Sequence, residues 1–139
     1  MKKQFLALIL AVLPAFALAQ SALEYPNDHV DIDLTDKAAL QDGARTFVNY
    51  CMGCHSAKFQ RYERVAADLG VAPGLMLENL VFTDAKIGDH MKIGMRPADA
   101  KVWFGAVPPD LTLVARVRGN DWLYTYLRTF YEDPARPWG

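Results

Sequence analysis

At 139 residues, 52% of them hydrophobic, the chain supports one domain with a buried core. Its formal charge of −1, with no basic run and no Arg/Lys stripe, excludes an electrostatic nucleic-acid binder. With 2 cysteines it excludes a multi-bridge disulfide framework and a four-cysteine metal cage, leaving only a bond between the two themselves.

Residues 1–19 have a basic start (Lys2, Lys3), an apolar run from Phe5 to Leu13, and the small-residue box Ala17-Leu18-Ala19 before Gln20. This pattern predicts a secretory signal peptide. The competing membrane anchor is weaker, because the run is short, carries Pro14 and ends in a cleavage box. Removal of the segment takes Lys2 and Lys3 with it and leaves a net charge of −3. Residues 20–139 form the remaining domain, in which nothing approaches the length of a membrane-spanning helix. Ser21 to Leu34, with Pro26 and a thin acidic series of Asp28, Asp31 and Asp33, reads as an extended surface lead-in. His29 lies within it, and an isolated histidine in a polar loop reads as an exposed side chain rather than a metal ligand.

Thr35 is placed to cap a helix over Asp36 to Tyr50, on which Leu40, Ala44, Phe47, Val48 and Cys51 recur at helical spacing. That helix runs directly into Cys51-Met52-Gly53-Cys54-His55. CxxCH is the pattern of a c-type haem attachment site. Two intervening residues let one tight turn present both sulfurs to the edge of a porphyrin, where thiols add across its vinyl groups, while the next residue brings its imidazole to the iron. A bare CxxC also serves redox dithiols and zinc sites. The first needs a βαβ context and the second another ligand pair, and the chain offers neither. Export and CxxCH reinforce each other, since haem c is attached outside the bacterial cytoplasmic membrane.

Tyr62, Val65, Ala66 and Leu69 make a second apolar stripe, closed by Gly70 with Pro73 beyond. Lys58, Arg61 and Arg64 read as the solvated face of that helix, the alternative being a docking patch. A third short helix is expected over Pro73 to Phe82. Asp84 to Lys101, punctuated by Gly88, Gly94 and Pro97, reads as a loop that holds His90, Met91 and Met95. Methionine opposite histidine is a common second iron ligand, and by position Met95 leads Met91, Met76 and His90. The ordinary role of methionine is to fill gaps in a core. Pro108-Pro109 predicts a stiff extended wall suited to a flat porphyrin, and Asp110 is placed to cap a run from Leu111 to Val117. Arg116 and Arg118 are candidates for pairing with haem propionates, or plain surface arginines. Asn120 or Asp121 caps a last helix with Leu123, Tyr126, Leu127 and Phe130 on one face, stopped by Asp133-Pro134. In small c-type cytochromes the last helix crosses the first, which would set Gly43 against this aromatic face.

From about Asp33 onward the sequence resembles the cytochrome c1 family in its proteobacterial form. The resemblance rests on Gly43-Ala44-Arg45-Thr46-Phe47-Val48-Asn49-Tyr50 running into Cys51-Met52-Gly53-Cys54-His55-Ser56, on Arg61-Tyr62, and on Met95-Arg96-Pro97 with Asp99-Ala100-Lys101. Above all it rests on Trp103-Phe104-Gly105-Ala106-Val107-Pro108-Pro109-Asp110-Leu111-Thr112-Leu113, with Arg118-Gly119, Tyr124 to Tyr131 and Asp133-Pro134-Ala135-Arg136-Pro137 after it. It implies an all-α, class I cytochrome c-like haem domain with one covalent haem c. By it Cys51 and Cys54 carry the thioethers, His55 is the proximal iron ligand, Pro109 lies against the haem and Arg118 approaches a propionate. It further implies a non-catalytic electron-transfer subunit of the respiratory ubiquinol:cytochrome c reductase, complex III. That subunit sits beside cytochrome b, takes electrons from the Rieske iron-sulfur protein and passes them to cytochrome c at the periplasmic side of the inner membrane. In the family the axial methionine and a carboxy-terminal membrane helix come after the region matching Gly139, so the domain is expected to be incomplete and Met95 is disfavoured as a ligand. Two other readings stand beside this one: a five-coordinate c-type haem protein that binds a small ligand, and a soluble periplasmic carrier with Met95 on the iron.

Overall fold

A computed structural model of the chain describes residues 26–135, so the proposed signal segment and the last four residues lie outside it. Among the described residues, six helices and a two-stranded antiparallel ladder come in the order α1 (Lys37–Thr46), β1 (Ala57–Arg61), α2 (Tyr62–Leu69), α3 (Pro73–Leu80), β2 (His90–Met91), α4 (Pro97–Phe104), α5 (Val114–Arg118) and α6 (Asn120–Arg128). The mostly helical character matches the sequence expectation. The ladder is an addition to it: β1 pairs with β2 in the register Ala57 to Met91 and Arg61 to His90, with a bulge between.

α1 starts one residue later than expected. Asp36 is the N-cap, its carboxylate accepting from the Ala39 N–H at 3.0 Å, while the Thr35 N–H and hydroxyl both donate to Asp33. The helix does not stop at Thr46. It widens into a π-helical turn over Phe47–Cys51, closed by Met52 N–H donating to the Phe47 carbonyl at 2.9 Å. Such insertions concentrate at functional positions because they rotate the downstream chain by a fraction of a turn. Here the rotated segment is CxxCH.

The dry core lies between these elements. Val48, Ala57, Tyr62, Ala66, Met76, Val81 and Met91 are buried together, with Phe47, Met52, Val65, Leu80 and Ile87 packed around them. Met76 has no exposed surface and Tyr62 only 2%. α2 needs partners at both ends, and has them. Its first N–H groups donate to the loop before β2, Tyr62 N–H to Asp89 O at 3.2 Å and Glu63 N–H to Ile87 O at 2.7 Å. Its last carbonyls accept from α1 side chains, Lys37 Nζ to Asp68 O at 2.7 Å and Gln41 Nε2 to Leu69 O at 2.9 Å. Gly70 ends it at φ 69°, a left-handed conformation that glycine adopts without strain. Because the chain is a strand up to Arg61, the three basic residues do not share a helix face. Lys58 lies over the Phe59 ring, Arg61 donates to the Gly88 carbonyl, and only Arg64 is helical, paired with Asp68 at 2.8 Å.

The C-terminal half is built differently. Pro97 occupies the first turn of α4, a helix placed where the sequence read as a loop. α6 ends at Arg128, short of Asp133-Pro134. Trp122 and Tyr126 stack at 4.9 Å and Tyr126 meets Phe130 edge-on at 5.1 Å, so the aromatic stripe is a ladder of i,i+4 pairs. It does not meet Gly43, at which an added Cβ would find nothing within 4 Å. Instead α6 holds the lead-in: Asp28 N–H donates to the buried Thr125 hydroxyl at 2.7 Å and Val30 N–H to Asp121 Oδ1 at 3.0 Å. His29 lies between Asp121 at 3.2 Å and Asp31 at 3.1 Å, and Arg128 pairs with Asp28 at 3.1 Å.

Met76→Ala is expected to lower the unfolding free energy by about 2–5 kcal/mol in denaturant titration, because the emptied volume sits in the middle of the core. Gly43→Ala should raise it by about 0.5–1 kcal/mol, since the methyl has room and the helix gains propensity. The pKa of His29 is raised, first by its hydrogen bond to Asp121 and then by Asp31. Its contribution to docking the lead-in is therefore fully present below the ordinary histidine pKa of about 6.5 and is lost as pH rises through the raised value. Hydrogen exchange at the Val30 amide should show protection falling over that window, and His29→Asn should remove the pH dependence.

Candidate haem-binding site

The π-turn delivers Cys51 half-buried at the end of α1, and the chain then folds back on it. Cys54 N–H and His55 N–H both donate to the Cys51 carbonyl, at 3.1 and 2.9 Å. That double closure makes residues 51–55 one tight turn, which sets both sulfurs and the imidazole on a single short segment. Both thiols are free, Cys54 being the exposed one.

The histidine is held from the other half of the molecule. His55 Nδ1 lies 2.7 Å from the Pro109 carbonyl oxygen, 54 residues away. A carbonyl only accepts, so the proton is on Nδ1 and the lone pair is on Nε2, which has no hydrogen-bond partner among the described residues. A histidine in this state is a ready metal ligand, its basicity raised by the bond on its far side. Two free thiols spaced for a porphyrin edge and an imidazole with Nε2 available fit a covalently bound haem.

The segment that carries Pro109 is anchored in turn. Leu111 N–H donates to the Ser56 carbonyl at 2.8 Å, and the Ser56 hydroxyl accepts from Ile93 N–H at 3.1 Å. Asp110 Oδ2 accepts from Lys58 N–H at 2.8 Å, while Oδ1 accepts from the Thr112 N–H at 3.1 Å and its hydroxyl at 2.6 Å. The Thr112 oxygen accepts from Phe59 N–H at 3.3 Å. Burial pushes the Asp110 carboxyl up, but the donors from Lys58 and Thr112 outweigh it and hold it below the ordinary carboxylate range. Asp110 thus closes a turn onto Thr112 and clamps β1, where the sequence suggested a helix cap. α5 begins only at Val114 and has no side-chain cap.

Of the sequence candidates, Cys51, Cys54, His55 and Pro109 come together here. Arg118, last in α5, stacks on Trp122 at 4.9 Å, and neither it nor the exposed Arg116 forms an ion pair among the described residues. Met76 and Met91 are buried in the core, where they act as packing residues. Met95 is half-buried between β2 and α4, and His90 pairs within the ladder. Sequence reasoning missed Asp110, Thr112 and Ser56 as the supports of the histidine. The signal available was the Asp-x-Thr spacing, which is that of a side chain bonding its own backbone two residues on.

A helical fold around a CxxCH turn whose histidine has its outer nitrogen fixed by a proline carbonyl defines a c-type haem domain of the class I cytochrome c kind. Over its whole length the chain is 50% identical to the cytochrome c1 of Allochromatium vinosum, the match covering 57% of that protein. It is 49% identical over 129 residues to the ammonia monooxygenase gamma subunit of Nitrosomonas europaea, covering 92% of this chain and 55% of the relative. It is 30% identical to a mitochondrial cytochrome c1 heme protein of Solanum tuberosum over 79% of this chain and 49% of the relative. The chain spans about half the length of the curated relatives it matches, and no protein-family profile matches it. The chain is similar to cytochrome c1 along its whole length, and that similarity implies covalent haem c.

Proposed function

We propose that the chain is the haem-bearing domain of the electron-transfer subunit of a ubiquinol:cytochrome c reductase. In this reading residues 1–19 are the export signal and 20–139 the haem domain. Cys51 and Cys54 would hold the cofactor through thioethers, and His55 would supply an iron ligand through Nε2. Haem c, when bound, supplies a one-electron couple at its iron. The residues around it do the rest. The Pro109 carbonyl holds Nδ1 and so orients the imidazole, and the Pro108-Pro109 segment would stand against the ring. Arg118, held over Trp122, would pair with a propionate. The subunit takes electrons from the Rieske protein, beside cytochrome b, and gives them to cytochrome c, on the periplasmic side of the inner membrane.

The observation that carries this reading is the 2.7 Å bond from His55 Nδ1 to Pro109, which leaves Nε2 free beside two unpaired thiols. The apolar side chains of the C-terminal half support it. Trp103 is 63% exposed, and Phe104, Val107 and Leu113 are open as well. That is the kind of surface a flat apolar ligand covers. Exported from a bacterium that has haem-maturation machinery, the chain should gain the mass of one haem and keep its pigment through acid-acetone extraction. Cys51→Ala combined with Cys54→Ala should make the pigment fully extractable. Extraction of pigment from the unaltered chain, or an intact mass without haem, would overturn the proposal.

A further inference from the structure

The bond from His55 to Pro109 joins two loops, and neither end fixes it alone. Pro109 has no N–H with which to anchor itself, so its carbonyl direction is set by the ties on the next residues. Leu111 is tied to Ser56 by one main-chain bond. The remaining ties pass through two side chains. The Asp110 carboxylate takes Lys58 N–H on one oxygen and both Thr112 donors on the other, and the Thr112 oxygen takes Phe59 N–H. Lys58 and Phe59 lie on β1, three and four residues after the histidine, and the Ala57 end of β1 is packed in the core. The fork therefore ties the proline carbonyl to a strand whose Ala57 end is buried in the core.

We propose that Asp110 and Thr112 are positioning residues, which aim the Pro109 carbonyl at His55 Nδ1 and so set the electron-donating strength of the iron-facing nitrogen. This rests on the haem reading above. Neither side chain touches the imidazole or the cofactor. Each acts through the peptide it anchors. Aspartate is needed because both carboxylate oxygens accept. An asparagine in its place would turn an NH2 group toward either the Lys58 N–H or the Thr112 donors.

The test compares Asp110→Asn, Thr112→Val and Thr112→Ser with the unaltered haem-loaded chain. Three quantities are measured: covalent haem content, solvent exchange of the His55 Nδ1 proton by NMR, and the reduction potential. Haem content should be unchanged in all of them, since the attaching thiols are untouched. In Asp110→Asn and Thr112→Val the Nδ1 proton should exchange about tenfold faster, and the potential should move to more positive values as the imidazole donates less. Thr112→Ser keeps the hydroxyl and should return both readouts to those of the unaltered chain. If Asp110→Asn fails to fold, the Thr112 pair decides alone. Unchanged exchange and potential in haem-bearing variants, or Thr112→Ser behaving as Thr112→Val, would overturn the inference alone. An unaltered chain that takes up no haem would overturn the reading of the site and this inference with it.

Discussion

One hydrogen bond connects the chemistry of this chain to its architecture. His55 stands at the end of the turn that α1 and its π-helical extension produce, and Pro109 stands on the stretch between α4 and α5. Their contact fixes three things together: the tautomer of the imidazole, the plane of its ring, and the separation of two halves that share few other contacts. A neutral histidine free to rotate would lose orientational entropy on meeting a metal. Held as it is, that loss has already been taken in folding. The ties from Leu111 to Ser56 and from Asp110 and Thr112 to β1 flank the same spot, while the lead-in fastens α6 separately. The ties that join β1 to the Pro109 segment and the seat of the histidine are therefore one structure.

The two halves differ in how they meet the hydrophobic requirement. Between Phe47 and Met91 a small core is closed on itself around Tyr62 and Met76. From Pro97 onward, Ala100 and Thr125 are the buried positions among the described residues, and α6 spends its aromatics in a partly exposed ladder. Stacked rings contribute about 0.5–1.5 kcal/mol a pair beyond their burial, which stabilises the helix without settling it on a core. The lead-in fastens α6 through polar contacts, Asp28 to Thr125 and Val30 to Asp121. A half organised by hydrogen bonds, with its large apolar groups outward, is suited to being completed by a rigid apolar ligand, and the haem reading supplies one.

The sequence announced the parts of this arrangement that depend on side-chain identity at short range. CxxCH, the stripe from Tyr62 to Leu69 and the stop at Gly70 are each local patterns with a local cause, and the structure places α2 and its cap as read. β1 was not legible. Its residues, Ala-Lys-Phe-Gln-Arg, alternate apolar and polar over only four positions, Phe59 is exposed rather than buried, and the partner lies some thirty residues on. α4 hid behind Pro97, which reads as punctuation in a loop and as a first-turn residue in a helix. Asp110 failed for a related reason, because a carboxylate before a helical run suits an N-cap and an Asx turn equally. The acceptor for His55 was the least legible of all. Every residue offers a carbonyl, and only the assembled fold says which one faces the imidazole.

The kind of acceptor matters as much as its position. A carboxylate bonded to Nδ1 would pull strongly on the proton, give the imidazole marked anionic character and favour the oxidised iron. A carboxylate is available one residue along, at Asp110, yet both its oxygens are committed to Lys58 and Thr112. Those bonds keep it ionised and keep it turned toward β1, so the group that reaches the histidine is the neutral carbonyl of Pro109. On the proposed reading, moderate donation of this sort would leave the reduced iron accessible, as a protein that only relays electrons requires. A site built to activate a bound small molecule gains from the stronger push. By disposing of its nearest carboxylate in this way, the chain separates the task of holding the histidine from that of charging it.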